Sequence, residues 1–128
     1  FQPSEALDKP HVMVAMNVFA AATEAEARLL ASSQQQSFVR LRTGNPGKLP
    51  PPIEGYTETL PAAAQAMLAH IGQAAAVGTP AQVREGIAAF ARRTGADEIM
   101  LCGATYDPEA RIRSLELTME ACETVPAA

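Results

Sequence analysis

Few residues in this 128-residue chain are of types and spacings that do chemistry unaided. There are two histidines, His11 and His70, and His70 lies in an Ala-rich stretch with no acidic neighbour in sequence. It reads as a packed or solvated histidine rather than a general base, which needs an orienting partner. Cys102 and Cys122 lack CxxC spacing, and two histidines with two isolated cysteines form no metal-ligand pattern. Cys102 closes an apolar run and Cys122 falls on a helical apolar stripe, so both read as small core hydrophobes, with a disulfide or reactive thiol as the alternative. Asp97 and Glu98 precede an apolar run and read as a solvated turn rather than an acid pair, and Arg92-Arg93 reads as the basic end of a helix rather than an anion site. No nucleophile stands at a workable spacing from a base, so no catalytic residue is assigned.

Gly78-Thr79-Pro80 is the one segment whose local chemistry is specific. A helix start after glycine offers free amides and the positive end of a dipole to a phosphate. The spacing of Thr79 and Gln82 is equally that of a capping box, with Pro80 at the first helical position. The segment reads as joining one helix to another, and it lacks the GxGxxG or P-loop pattern, so capping is the preferred reading.

The elements that would position these residues follow from periodicity. Residues 11–20 (HVMVAMNVFA) are almost continuously apolar, as in a parallel strand buried on both faces. Thr23 and Glu26 have capping-box spacing and open a helix over 23–43. Its apolar stripe is Ala27, Leu30, Ala31, Phe38 and Leu41, and its polar middle, Ser32 to Ser37, suits a solvated surface or another chain. Residues 44–59 hold Pro46 and Pro50 to Pro52, which cannot continue a helix, and form a stiffened loop that is either a lid or an external connector. Helices over 61–73 and 80–94, a strand over 97–102 and a helix over 108–123 complete the chain. The 80–94 helix carries Val83, Ile87, Phe90 and Ala91 on one face, and the last helix Ile112, Leu115, Met119 and Cys122. The expected fold class is α/β and helix-rich, with two parallel strands.

Composition narrows the function classes. With 48% hydrophobic and 19% charged residues the chain is globular, and its length suits one domain. A net charge of −4 and scattered basic residues argue against nucleic acid as a partner. The longest apolar run, Val12 to Ala22, is too short and is broken by Asn17, which argues against a membrane span. The cysteine usage points to a cytoplasmic location. A start at Phe1 without signal-like features reads as a trimmed or excised segment.

The stretch VGTPAQVREGIAAFARRTGADEIML resembles the characteristic late segment of luciferase-like monooxygenases. SSQQQSFVRLRTGNPGKLPPP is similar to the region after the seventh strand in one bacterial branch of that family, and YDPEARIRSLELTMEA resembles its terminal helix. The likeness runs from about Pro3 to Cys122. It implies the C-terminal part of a TIM (β/α)8 barrel, with strands seven and eight and the long family insertion between them. A whole barrel takes about 250 residues, so the main catalytic part is expected upstream. The resemblance implies reduced FMN and O2 oxidising a small-molecule organic substrate such as an aldehyde, with a deazaflavin as the alternative cofactor. The family's phosphate contacts and catalytic histidine and cysteine come from earlier strands, so the isolated chain is expected to be inactive. Barrel sites lie at the carboxyl ends of strands, which leaves Phe19, Ala20, Gly103 and Thr105 as local candidates for lining a pocket, with ordinary packing as the alternative. A homo-oligomer, or association with the missing barrel segment, is expected to cover the strand edges. A small non-catalytic binding or scaffold module stays open as a second function class.

Overall fold

An apolar run without alternation must be covered on both faces, and in the computed structural model, which describes residues 1–123, Met13–Ala20 (β1) is the central strand of a parallel sheet. α1 (Glu24–Arg42) follows, then a Pro-rich loop with a short 3-10 turn at Tyr56–Thr59, then α2 (Ala62–Ile71). β2 (Ala75–Gly78), α3 (Pro80–Thr94), β3 (Glu98–Cys102) and α4 (Pro108–Glu123) complete the fold.

The sheet has three strands, not the expected two. β2 went unread because Ala75-Ala76-Val77-Gly78 is four residues long and has one β-branched side chain. It turns the supposed helix-to-helix junction at Gly78 into a strand-to-helix junction. The strand order is β2-β1-β3. An uninterrupted barrel segment would run β1-β2-β3, because consecutive barrel strands are neighbours. Here β3 takes the other edge of β1, where it pairs over five residues. The register is staggered: β2 pairs with Asn17 to Ala20 and β3 with Met13 to Asn17, so Asn17 alone is opposite residues of both neighbours.

Side chains of β1 alternate between two helix layers. Met16, Val18 and Ala20 join Ala76, Val83 and Phe90 in the core, with Ile87, Leu115 and Leu117 of α3 and α4 packed against it. Fully burying side chains such as Met16, Val18 and Val83 contributes about 1.5–3 kcal/mol each, more than any single cap. Asn17 and Phe19 point the other way, towards α1 and α2. In a closed barrel that second face of the sheet looks into the barrel interior, whereas here helices cover its carboxyl half. Its amino half stays open, with Met13, Ala15, Met100 and Cys102 exposed on register-paired positions.

Three burial expectations change. The polar middle of α1 is buried at Ser32, Ser33, Gln34 and Gln36, because it packs under the Pro-rich loop and against the strand ends. Ser32 Oγ accepts from Ile53 N at 2.9 Å, Gln36 Nε2 donates to Pro51 O at 2.8 Å, and Gln34 Oε1 accepts from Ala104 N at 2.8 Å. Leu41 is exposed instead. In α4 the fully buried positions are Ser114 and Thr118, while Ile112 and Met119 are exposed. The small hydroxyls let the helix approach β1, where Ser114 Oγ accepts from Ala20 N at 2.8 Å. Cys102 is exposed rather than in the core.

The α3 start carries the full capping box: Thr79 N donates to Gln82 Oε1 at 2.8 Å and Gln82 N to Thr79 Oγ1 at 3.5 Å. Gly95 ends the helix in the left-handed region at φ 61°, where glycine is favoured. At the start of the β1–β3 pair, Val12 N donates to Asp97 Oδ2 at 2.8 Å and Asp97 N to Val12 O at 3.0 Å.

Two substitutions test these contacts. Thr79→Ala is expected to lower stability by about 1 kcal/mol in denaturant melts, and an unchanged midpoint would count against the cap. A Cβ at Gly103 would lie 2.7 Å from the backbone oxygen of Val18, which cannot swing aside. Gly103→Ala is therefore expected to cost about 1–3 kcal/mol in the same melts, and a neutral result would show that the β1–β3 approach is looser than described.

Candidate functional site

Two adjoining concavities lie between the sheet and the layer formed by α1, α2 and the Pro-rich loop. The larger is an open groove of about 820 Å³ between the first turns of α1 and residues 53–58. Glu24, Arg28, Glu54 and Glu58 supply its charge. Glu24 accepts from Arg28 within α1 and from Gln82 Nε2 of α3 at 3.1 Å, so it ties two helix starts together. The Gln82 hydrogen bond first, and the Arg28 charge second, hold the Glu24 carboxyl below the ordinary carboxylate range. The groove thus has three carboxylates and one guanidinium, the latter already engaged by Glu24.

The smaller concavity, about 270 Å³, is walled by Phe19, Val77, Phe38, Leu68 and Ile71, with the amides of Asn17, Gln34 and Gln35 at its surface. Gln35, Ala31 and Val77 line both spaces, so the cavity and the groove adjoin across these residues. No charged side chain lines the cavity.

The residues expected at the strand ends separate. Phe19 lines the cavity, and Gly103 lies beside its ring, a Cβ there being 3.6 Å from ring carbons. Ala20 faces the opposite side and belongs to the α3–α4 core. Thr105 is buried at 7% exposure and lines neither space. Sequence reasoning did not pick Asn17, Gln34, Gln35 or the groove carboxylates as site residues. The signals were an asparagine inside an apolar strand and a glutamine run inside an amphipathic helix.

The remaining chemical residues are dispersed. His70 is exposed on α2, and His11 Nε2 lies 3.2 Å from Glu98 Oε2 on the open side of the sheet. Arg92 pairs with Glu85 at 3.1 Å, and the Arg93 guanidinium lies 5.2 Å from the centre of the Phe90 ring. Among the described residues no group of three or more His, Cys, Asp or Glu is placed to hold a metal, and no helix is long and apolar enough to cross a membrane.

A flavin phosphate finds no fitting cradle in these residues. The α3 amino terminus is its best candidate, yet Gln82 folds back over it, and a Cβ at Gly78 would already be 2.9 Å from the Gln82 Cβ. The neighbouring groove is rich in carboxylates, which repel a phosphate.

No family model matches the chain. It is 41% identical over 123 residues to a luciferase-like monooxygenase of Escherichia coli K12, a match that covers 96% of this chain and 37% of that protein. It is 36% identical over 117 residues to the uncharacterized protein YvbT of Bacillus subtilis 168, covering 91% of this chain and 35% of the relative. In fold it is similar to the crystal structure of apo-MsnO8, with a TM-score of 0.70 at 24% identity, covering 99% of this chain and 39% of that one. The chain spans little more than a third of the length of the curated relatives it matches. In sequence, therefore, it matches a C-terminal portion of the luciferase-like monooxygenases.

Proposed function

We propose that this chain is the closing segment of a flavin-dependent luciferase-like monooxygenase, in which reduced FMN and O2 oxidise a small organic substrate in the cytoplasm. The observation that carries this reading is 41% identity sustained over 96% of the chain. In this proposal the flavin is held by residues upstream of this segment, since the capped α3 start and the acidic groove do not suit its phosphate. The segment's own contribution is to close a (β/α)8 barrel and to offer Phe19 and Gly103 at the strand ends as part of the pocket wall. In the barrel β2 lies between β1 and β3; the order β2-β1-β3 is what the chain adopts when β3 has a free β1 edge to pair with.

A second reading, a small non-catalytic α/β binding module, is favoured by one observation. Helices cover both faces of the carboxyl half of β1, as in an independent three-layer domain.

Fluorescence titration of the isolated chain with FMN is expected to give a dissociation constant weaker than about 1 µM, and tighter binding would overturn the upstream-flavin proposal. Replacing the matching portion of the E. coli relative with this chain tests the monooxygenase reading itself. The folded chimera is expected to consume O2 with reduced FMN, and a folded chimera that binds FMN without O2 consumption above that of free reduced FMN would favour the binding module.

The open strip of Met13, Ala15 and Met100, beside the free edge of β3, is proposed as the surface that packs against the upstream segment. Alone, the chain is then expected to self-associate. Light scattering during size exclusion checks this, and a monomer mass unchanged on dilution would refute it.

A further inference from the structure

We propose that the cavity between β1, α1 and α2 is a binding site for a compact, uncharged, largely apolar molecule carrying one hydrogen-bonding group. Three features of the cavity converge on that chemistry.

The first is shape and lining. Phe19, Phe38 and Leu68, from the sheet, α1 and α2 respectively, enclose about 270 Å³, close to the lower end of the range for small-ligand pockets. Phenyl and aliphatic walls reward removal of apolar surface from water and supply ring faces for offset or edge-on stacking.

The second is unspent hydrogen-bonding capacity. Gln34 is only 9% exposed; its Oε1 is taken by Ala104 N, while its Nε2 has no partner among the described residues. The Gln35 side chain makes no hydrogen bond among the described residues, and the Asn17 side chain is engaged only through Oδ1, 3.5 Å from Cys102 Sγ. Amide groups left open beside apolar walls lose hydrogen bonding unless a ligand or solvent supplies it. Gln34 and Asn17 are left chiefly with NH2 donors and Gln35 with donors and an acceptor, so the oxygen of a hydroxyl or a carbonyl can accept from them.

The third is charge. The cavity itself has no ionisable side chain, so an ion entering it would lose hydration without gaining a counter-charge. The adjoining groove carries the carboxylates of Glu24, Glu54 and Glu58, whose charge opposes anions in particular. A neutral ligand avoids both penalties.

This inference holds whether or not the monooxygenase reading does, because it concerns binding by this chain alone. The test uses a matched pair of probes, benzyl alcohol and benzoate, which share a ring and differ in charge. Uniformly 15N-labelled chain is titrated with each while amide shifts are followed. Benzyl alcohol is expected to give saturable shifts centred on residues 17–19, 31–38 and 68–77, with a dissociation constant of about 1 mM or tighter. Benzoate is expected to bind at least about tenfold more weakly. Gln35→Trp, at a half-buried position in the cavity wall, is expected to fill part of the space and weaken benzyl alcohol binding by at least about tenfold. Circular dichroism and the amide spectrum check that the variant is folded.

The proposal is overturned by absence of saturable shifts with benzyl alcohol, by shifts confined to the open strip around Met13 and Met100, or by equal binding of benzoate. A folded Gln35→Trp variant that binds normally also overturns it. If that variant does not fold, the wild-type shift map and the alcohol-to-benzoate ratio decide the question by themselves.

Discussion

β1 is bonded on both edges and its carboxyl half is covered on both faces, and the remaining elements take their places from it. Its eight residues include an almost unbroken apolar series, which no single helix layer could bury. Parallel pairing requires crossover connections, and the two crossovers lead to opposite edges of β1. With the usual right-handed crossovers, such a route puts the connecting helices on opposite faces of the sheet. The result is a core of Met16, Val18 and Ala20 with α3 and α4 on one side, and a looser layer over Asn17 and Phe19 on the other. The contrast between the two layers is chemical as well as geometric. One is sealed by Val83 and Phe90, whereas the other is built from the serines and glutamines of α1 and leaves space.

That looser layer depends on polar contacts that apolar patterning does not announce. Ser32, Gln34 and Gln36 each hold a backbone group of a loop, so α1 binds the Pro-rich segment and the end of β3 through its side-chain amides and hydroxyls. Buried polar groups of this kind favour one arrangement over others, because sliding the helix by a turn would break several hydrogen bonds at once. Ser33 Oγ is the exception, buried without a partner. We have no physical account of it.

Much of the secondary structure was legible because its signals are local. The Thr79 cap with Pro80 and Gln82, the left-handed Gly95 and the stripe of Val83 and Phe90 define α3 from the residues themselves. The run 11–20 announced a strand for the same reason, although the strand begins at Met13 and only its carboxyl half is buried on both faces. β2 was not legible, since Ala and Gly carry no β preference and its strand character comes from lying beside β1. Strand order was not legible either, because it depends on which edge of β1 each partner finds free. Of the strand-end residues, Phe19 lines the cavity and Gly103 lies beside its ring, whereas alternation sends Ala20 to the other face. Gln34 and Gln35 lay inside a segment read as solvated, since nothing in its composition shows that a proline-rich loop folds over it.

The staggered register has a temporal consequence. β1 ends at Ala20, whereas Ala75, its first partner in β2, and Glu98, its first partner in β3, lie far later in the chain. At ribosomal rates of about 5–20 residues per second, this apolar strand is made on the order of seconds before β2 or β3 exists to pair with it. Until then its nearest available cover is α1, which follows it directly and whose Ala27 and Ala31 end up buried in the folded chain. The serine- and glutamine-rich middle of that helix, buried only once the Pro-rich loop and the end of β3 arrive, stays compatible with solvent in the meantime.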